Sequence, residues 1–160
     1  EWWASDHYDI EPDVIASAKG LRVGATISRE EVFPDKRGRI SSTWGAGDLI
    51  ASAQGVATLD AIEEYDLLDN ATERGEQMQA LLHEYNMPDT VDIRGKGLML
   101  AVEFESKALR DAVQEETFSR GLVTLGCGKK TLRLLPPLDV TEREIRLGAE
   151  MLNDSVEALA

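Results

Sequence analysis

The sequence predicts an α/β or α+β fold, because patterns typical of helices and of strands alternate along the whole chain. Its 160 residues are 42% hydrophobic and 29% charged, which is the balance of an ordinary water-soluble globular protein. This length corresponds to one domain or one and a half, and it suffices to bury a hydrophobic core. Of the two classes, we expect α/β.

The first 47 residues favour two short strands followed by a loop. Pro12 precedes an apolar run at 14–16, which predicts a turn leading into a buried strand. A second strand is predicted at 23–28, where β-branched residues favour extended structure. Residues 33–47 contain one proline and three glycines, and they are predicted to form an extended loop.

Two long helices are predicted in the middle of the chain. The first spans 48–65, with Asp48 as its N-cap and a surface of small residues that allows close packing. The second spans 67–85 and is amphipathic, with one apolar face and its charged residues on the remaining surface. That face consists of Leu67, Ala71, Gly75, Met78, Leu82 and Tyr85.

The C-terminal part is predicted to contain three strands and two helices. The elements before the last helix are a strand at 98–104, a helix at about 107–119, and strands at 122–125 and 131–135. A capping box that begins at Thr141 opens the final helix. We expect that helix to bury Ile145, Leu152, Val156 and Leu159. A domain boundary is predicted near residues 60–66.

The chain is strongly acidic, with 30 Asp and Glu against 17 Lys and Arg and a formal net charge of −13. The acidic residues are spread over the whole chain, so its surface repels phosphate backbones and anionic lipid headgroups. Nucleic-acid and membrane-surface functions are therefore disfavoured. The basic residues favour Arg over Lys, 11 to 6. This composition is consistent either with a salt-adapted, halophilic source or with an ordinary acidic cytosolic protein.

Residues that form disulfides and metal sites are scarce. The chain has one cysteine, Cys127, and two histidines, His7 and His83, which excludes an internal disulfide framework and a Cys- or His-rich metal site. No apolar run approaches the roughly 20 residues that a membrane-spanning helix needs, and no signal-peptide pattern opens the chain. We therefore expect a cytoplasmic protein.

Lys19 is the first candidate for chemistry, because it ends an apolar stretch and is followed by Gly20, which leaves space around it. In apolar surroundings a lysine ammonium group loses its solvation. The neutral amine then becomes available as a nucleophile that can form a Schiff base. The alternative is a lysine at a strand end whose amine simply reaches water.

A second candidate is the stretch 41–48, which places hydroxyl groups and glycines directly before a predicted helix N-terminus. Free backbone N–H groups and the helix dipole at such a position favour an anion such as a phosphate group. The alternative is a capped loop that binds no ligand.

The third candidate is Arg133. Strand alternation places Arg133 on the opposite face from Leu132 and Leu134, so one guanidinium group projects from an otherwise apolar strand. Such an arginine suits bidentate binding of a carboxylate. The alternative is a structural salt bridge to one of the many acidic residues.

Four segments, in this order, closely resemble the class III aminotransferases. These pyridoxal-phosphate enzymes include the 4-aminobutyrate, ornithine and acetylornithine aminotransferases. The segments are Pro12-Asp13-Val14-Ile15-Ala16-Ser17-Ala18-Lys19-Gly20-Leu21, Ser42-Thr43-Trp44-Gly45, Arg94-Gly95-Lys96-Gly97-Leu98-Met99 and Leu132-Arg133-Leu134-Leu135-Pro136-Pro137-Leu138. The resemblance implies the C-terminal portion of a fold type I transferase dependent on pyridoxal 5′-phosphate. Residues 1–65 would then be the end of the large domain with a linking helix, and 66–160 the small α/β domain.

The resemblance also implies roles for individual residues. Lys19 would form the Schiff base with pyridoxal 5′-phosphate and, once an amino donor has displaced it, move the proton between the substrate carbon and the cofactor. Thr43 matches the residue that reaches the cofactor phosphate of the neighbouring subunit, and Ser42 beside it is a second cofactor-binding candidate. Arg133 matches the arginine that binds the α-carboxylate of glutamate or 2-oxoglutarate. No metal is implied.

The activity implied is transfer of an amino group from an ω- or α-amino acid, such as 4-aminobutyrate, to a 2-oxo acid such as 2-oxoglutarate. The resemblance implies a homodimer with shared active sites. The family's residues for the cofactor phosphate, the pyridine ring and the pyridine nitrogen lie upstream of Lys19. Glu1-Trp2-Trp3 also has the character of a chain interior. We therefore expect an incomplete enzyme that is inactive as this chain alone.

Two alternative functions remain open. An aminomutase or racemase of the same fold would use the same lysine but would not need an arginine for 2-oxoglutarate. A non-catalytic remnant or interaction module would keep the dimer surface and bind no cofactor. A full-length protein that transfers no amino group to 2-oxoglutarate would favour the first alternative. One that forms no stable cofactor adduct at Lys19 would favour the second.

Overall fold

The computed structural model describes residues 1–36 and 47–160. The described chain forms two compact units, Glu1–Leu68 and Asp69–Ala160. The assignment of 1–65 to a large domain and of 66–160 to a small one stays a prediction. Helices and antiparallel sheets occur together, which confirms the predicted α/β class.

Six strands and four α-helices make up the described part of the chain. The strands are β1 (Val14–Ser17), β2 (Ala25–Ser28), β3 (Thr90–Lys96), β4 (Met99–Phe104), β5 (Leu125–Cys127) and β6 (Thr131–Leu134). The helices are α1 (Leu49–Glu64), α2 (Leu67–Tyr85), α3 (Lys107–Ser119) and α4 (Glu142–Glu157). None of these helices is both long and apolar enough to cross a lipid bilayer.

The first unit contains an antiparallel pair, β1 with β2, in which Ile15 lies opposite Ile27. The expectation of a buried first strand is wrong for this chain, since Val14 is 48% exposed. A two-stranded ladder is too small to cover both of its own faces. The second strand begins at Ala25 and not at 23, because the side chain of Val23 packs against Gly55 of α1 instead.

Helix α1 begins as predicted. The Asp48 carboxylate accepts hydrogen bonds from the backbone N–H groups of Ile50 at 2.8 Å and Ala51 at 3.2 Å. An aspartate in this position satisfies two of the four N–H groups that lack partners at every helix start. The predicted N-cap is therefore confirmed.

The second unit is built on a four-stranded antiparallel sheet in the order β3-β4-β6-β5. One face of the sheet is apolar and carries Leu100, Val102, Phe104, Leu132 and Leu134, all 5% exposed or less. Side chains from α2, α3 and α4 complete a single hydrophobic cluster with this face. The alternation predicted for 98–104 and the apolar face predicted for the second helix account for much of this core.

Strand β3 was not predicted from the sequence. It lies at the edge of the sheet, most of its residues are exposed, and its pairing with β4 is irregular between Thr90 and Asp92. An edge strand with one half-buried apolar residue, Ile93, lacks the two-residue alternation that signals a strand.

The strand predicted at 122–125 is displaced to Leu125–Cys127. Leu122 packs towards α4, where its Cδ1 lies 3.9 Å from the Cβ position of Gly148, and the buried Thr124 hydroxyl hydrogen-bonds Thr117 at 3.0 Å. These side-chain contacts with helices, and not strand pairing, determine the path of this segment.

Helix α4 opens with the predicted capping box. The Thr141 hydroxyl accepts from the Glu144 N–H at 3.3 Å, and the Glu144 carboxylate accepts from the Thr141 N–H at 2.8 Å. Ile145, Leu152 and Val156 are buried as expected. The expected burial of Leu159 is wrong: the helix ends at Glu157, and Leu159 is 40% exposed.

Candidate active site

Lys19 begins a single 3₁₀ turn, Lys19–Leu21, directly after β1. Its φ is +50°, in the left-handed region that costs a residue with a side chain about 1 kcal/mol. The N–H of Arg22 closes the turn by donating to the Lys19 carbonyl at 2.9 Å. A lysine held in this conformation supports the hypothesis of a functional position.

The surroundings of Lys19 are open within this chain. Its side chain is exposed, and its amine has no hydrogen-bond or ion-pair partner within 1–36 and 47–160. A Cβ placed on Gly20 would meet no atom within 4 Å. Within this chain the structure favours the alternative of a strand-end lysine whose amine reaches water, because the small β1–β2 ladder leaves the strand end open. The predicted space beside Lys19 is therefore present at the Gly20 Cβ position, and the role of Lys19 stays a prediction.

The turn that carries Lys19 is supported by α1. A Cβ on Gly55 would lie 2.6 Å from Val23 Cγ1 and 3.4 Å from the carbonyl oxygen of Leu21. A glycine at this position therefore lets the backbone that follows Lys19 approach the helix closely. The small-residue surface predicted for this helix thus positions the candidate lysine.

The predicted phosphate-binding residues Ser42 and Thr43 lie outside the described residues. The end of α1 that follows them is described, and there the Asp48 carboxylate already occupies the N–H groups of Ile50 and Ala51. At this helix end the structure favours the capped alternative. The roles of the two hydroxyl residues stay predictions.

Arg133 lies on β6, between Ala101 of β4 and Leu125 of β5. Its neighbours Leu132 and Leu134 point into the core, so the prediction that the guanidinium projects from the opposite face is confirmed. Its Nε is buried and has no hydrogen-bond partner. Within the described part of the chain Arg133 forms no ion pair, so the alternative of a structural salt bridge finds no support there.

An unpartnered buried donor has a clear chemical consequence. Leaving such a group without an acceptor costs about 1–3 kcal/mol, so a carboxylate that reached Arg133 would recover this free energy. A guanidinium group presents its donors in a planar fork that matches the two oxygens of a carboxylate. Arg133 is therefore suited to bind a carboxylate ligand.

A charged cluster on the same sheet face was missed by the sequence analysis. Glu103 accepts from Arg94 Nη1 at 3.0 Å and pairs with Lys130 Nζ at 3.3 Å, and Arg94 also donates to Asp92 at 2.6 Å. The hydrogen bond from Arg94, followed by that from Lys130, lowers the pKa of Glu103. Strand alternation places Glu103 on this face, but the register that brings the cations to it is not visible in the sequence.

Lys19 lies in the first compact unit, and Arg133 lies in the second. Both are cationic side chains without a described partner, one ending in a primary amine and the other in a guanidinium group.

Comparison with protein families matches residues 1–156 to the family model of class-III aminotransferases. The acetylornithine aminotransferase of Synechocystis sp. is 36% identical over 98% of this chain, and the L-lysine-epsilon aminotransferase of Amycolatopsis lactamdurans is 36% identical over 96%. The chain covers 38% and 36% of these two proteins, respectively. It therefore spans less than two fifths of the length of either relative.

Solved structures with the same fold include two aminotransferases. The ornithine aminotransferase of Toxoplasma gondii ME49 has a TM-score of 0.88 and 28% identity, with 99% of this chain and 40% of that chain covered. The lysine aminotransferase of M. tuberculosis has a TM-score of 0.86 and 29% identity, with 99% and 38% covered.

Proposed function

The chain belongs to the class III aminotransferases, and from this premise we propose that it acts as the C-terminal part of an enzyme that transfers an amino group from an amino acid to a 2-oxo acid. The observation that carries the proposal is the buried, unpartnered Nε of Arg133. Both substrates of such a reaction carry a carboxylate, and Arg133 is suited to bind one.

The family depends on pyridoxal 5′-phosphate, which when bound serves as the electron sink of the reaction. Lys19 fits this group, because its amine is exposed, has no described partner and has open space beside it at Gly20. We assign Lys19 to hold the cofactor through its Nζ. Ser42 and Thr43 are proposed to bind the cofactor phosphate.

Lys19 is also proposed to move the proton of the reaction. When an amino donor occupies the site, the Lys19 amine is released and can accept the proton from the substrate carbon that bears the amino group. The same amine would then deliver that proton to the cofactor, so that the proton moves from the substrate carbon to the cofactor. An exposed lysine at the start of a short turn has the side-chain freedom that both tasks require.

Arg133 is proposed to bind the α-carboxylate of glutamate or 2-oxoglutarate, with 2-oxoglutarate as the amino acceptor. For the donor we propose an ω- or α-amino acid such as 4-aminobutyrate. The two relatives are named for acetylornithine and for the ε-amino group of lysine. These names favour an amino donor whose terminal amine reacts.

We further propose a cytoplasmic homodimer in which Thr43 contributes to the cofactor site of the neighbouring subunit. The exposed apolar side chains of α1 support this proposal, because a neighbouring subunit would cover them. Leu49, Ile50 and Val56 are 83%, 74% and 59% exposed in this chain. A helix that is apolar on several sides is typical of a buried element. The single cysteine is consistent with a reducing compartment.

The role of Lys19 is tested by reducing the full-length protein with borohydride in the presence of pyridoxal 5′-phosphate. We expect a phosphopyridoxyl group on the peptide that contains Lys19, and we expect Lys19→Ala to lower kcat roughly 10²–10⁴-fold. Lys129→Ala, which changes an exposed lysine of the second unit, is the matched control and should keep both the adduct and the activity. Absence of the adduct would support the non-catalytic alternative.

The role of Arg133 is tested by the steady-state kinetics of Arg133→Gln with 2-oxoglutarate as acceptor. We expect KM for 2-oxoglutarate to rise roughly ten- to hundredfold, because a charge-assisted hydrogen bond contributes about 1.5–3 kcal/mol. Arg143→Gln, an exposed arginine on α4, should leave KM unchanged. If the parent protein transferred no amino group to 2-oxoglutarate, the aminomutase or racemase alternative would replace this proposal.

A further inference from the structure

Arg133 has an acidic neighbour within reach and does not pair with it. Ala101 lies directly opposite Arg133 in the β4–β6 ladder, and Thr131 lies opposite Glu103. Glu103 is therefore the diagonal neighbour of Arg133 on the same face of the sheet. Diagonal neighbours in an antiparallel pair are close enough for long side chains to meet.

The carboxylate of Glu103 is already occupied at both oxygens. Its Oε2 accepts from Arg94 Nη1 at 3.0 Å, and its Oε1 pairs with Lys130 Nζ at 3.3 Å. The side chain of Glu103 is 25% exposed, so these two cations hold it in a partly desolvated position. Both oxygens are thus engaged by cations other than Arg133.

Among the described strand neighbours of Arg133 on this face, Glu103 is the one acidic residue. On the β5 side its partner is Leu125 and the diagonal residue is Cys127. On the β4 side the diagonal residues are Met99 and Glu103. Glu103 is thus the one carboxylate at these register positions that could compete with a ligand for Arg133.

We propose that Arg94 and Lys130 are positioning residues that hold the Glu103 carboxylate away from Arg133 and thereby keep the guanidinium group available for the substrate carboxylate. This inference rests on the proposed function, in which Arg133 binds that carboxylate. Arg94 reaches Glu103 from the edge strand β3, and Lys130 reaches it from the turn before β6. The acid is therefore held from both of its sides.

The charges on this face are consistent with the proposal. Three cations, Arg94, Lys130 and Arg133, face two anions, Asp92 and Glu103, so the cluster is net positive in a chain whose formal net charge is −13. If the two holding cations were removed, the cluster would be net negative, and Glu103 would be free to pair with Arg133. A substrate carboxylate would then have to displace it.

The proposal is tested in the full-length holoenzyme by KM for 2-oxoglutarate in a set of variants. We expect Arg94→Gln/Lys130→Gln to raise KM roughly fivefold with kcat at saturating acceptor unchanged, because a competing ion pair of this exposure contributes up to about 1 kcal/mol. Adding Glu103→Gln to this double variant should return KM to the parent value. Glu103→Gln alone should leave KM unchanged, because its charge is already neutralised.

The matched control is Arg120→Gln/Arg146→Gln, which removes two cations from exposed ion pairs of α3 and α4. It should leave KM unchanged, and circular dichroism should show every variant folded. An unchanged KM in Arg94→Gln/Lys130→Gln would overturn the inference. A raised KM that Glu103→Gln fails to restore would overturn it as well, because the cations would then act on the substrate directly.

The Arg133→Gln variant distinguishes the proposed carboxylate site at Arg133 from the proposed role of Arg94 and Lys130. If Arg133→Gln raises KM and the double variant does not, only the role of the positioning residues is wrong. If Arg133→Gln itself leaves KM unchanged, the proposed carboxylate site is wrong, and the inference falls with it.

Discussion

Two arginines of the second unit, Arg110 on α3 and Arg133 on β6, show how partners decide the role of a residue. Arg110 is 6% exposed, and its guanidinium donates to Asp111 at 2.7 Å and to the carbonyl of Thr131 at 3.1 Å. Arg133 lies two residues beyond that carbonyl and keeps a buried Nε without a partner. The first arginine stabilises the β5–β6 hairpin, whereas the second retains the capacity to bind a ligand.

The position of the Arg110 guanidinium group also explains why residue 126 is a glycine. A Cβ on Gly126 would lie 2.3 Å from Arg110 Nη1 and 2.9 Å from Gln114 Oε1. The guanidinium group therefore lies directly over the backbone of β5. A larger residue at Gly126 would displace the contact that anchors the hairpin carrying Arg133.

Glu144 makes the stability of α4 dependent on pH. Hydrogen bonds from the Thr141 hydroxyl and backbone N–H lower the pKa of the Glu144 carboxyl. A group with a lowered folded-state pKa stabilises the fold above its unfolded value of about 4.3 and loses this contribution as pH falls through the folded value. As the pH is lowered from about 6 to about 3, we expect the free energy of unfolding to decrease less in Glu144→Gln than in the parent protein.

Urea denaturation followed by circular dichroism at a series of pH values measures this difference. Thr141→Ala should lower the free energy of unfolding by about 1 kcal/mol near neutral pH, because it removes the N-cap side chain. Glu150→Gln, which changes an exposed glutamate of the same helix outside the capping box, is the matched control. Parallel curves for Glu144→Gln and the parent would contradict the prediction.

At the scale of elements, the contact between α2 and the β3–β4 turn requires two glycines. A Cβ on Gly75 would lie 2.2 Å from the carbonyl oxygen of Gly97, and Gly97 itself has a φ of +51°. The helix and the turn therefore approach each other through backbone atoms. This contact positions the hairpin whose edge strand carries Arg94.

Gly75→Ala is expected to destabilise the protein by about 1–3 kcal/mol, because the backbone at Gly97 has to move. Gly148→Ala on α4 is the matched control: the nearest atom to its Cβ is Leu122 Cδ1 at 3.9 Å, an ordinary contact. Since alanine favours a helix over glycine by about 1 kcal/mol, this control should stabilise the protein.

Both free energies of unfolding can be measured by urea denaturation. Hydrogen exchange of the α2 and α4 amides localises each effect to its helix. A Gly75→Ala variant as stable as the parent would show that helix and turn can separate without cost, which would contradict the close contact.

At the scale of the whole molecule, the formal net charge of −13 should make thermal stability depend on salt concentration. Repulsion among like charges destabilises a compact state, and the screening length falls from about 30 Å at 0.01 M salt to about 3 Å at 1 M. We expect Tm to rise with potassium chloride over this range, by about 2–4 °C for each kcal/mol of repulsion removed.

Thermal unfolding followed by circular dichroism tests this prediction, with sucrose of equal osmolarity as the uncharged control. A Tm that is constant or falls with potassium chloride would contradict the idea of a salt-adapted surface. A rise with salt that sucrose does not reproduce would show that repulsion among the excess acidic charges destabilises the fold at low salt.

The sequence by itself determined the features that depend on near neighbours in the chain. The caps at Asp48 and Thr141, the helical periodicity of α2 and the alternation along β4 are local, because each involves contacts among residues a few positions apart. The order of four motifs was likewise sufficient to recognise the class III aminotransferases, which the family comparison confirmed.

Only the tertiary structure decided what depends on residues far apart in the chain. It showed that Lys19 is exposed and that β3 pairs at the sheet edge. It also showed that Glu103 is held by Arg94 and Lys130, while the Arg133 side chain has no partner among the residues that the structure describes. The physical reason is that desolvation and ion pairing follow from cross-strand register and from what covers each surface. Neither is a property of a residue and its chain neighbours.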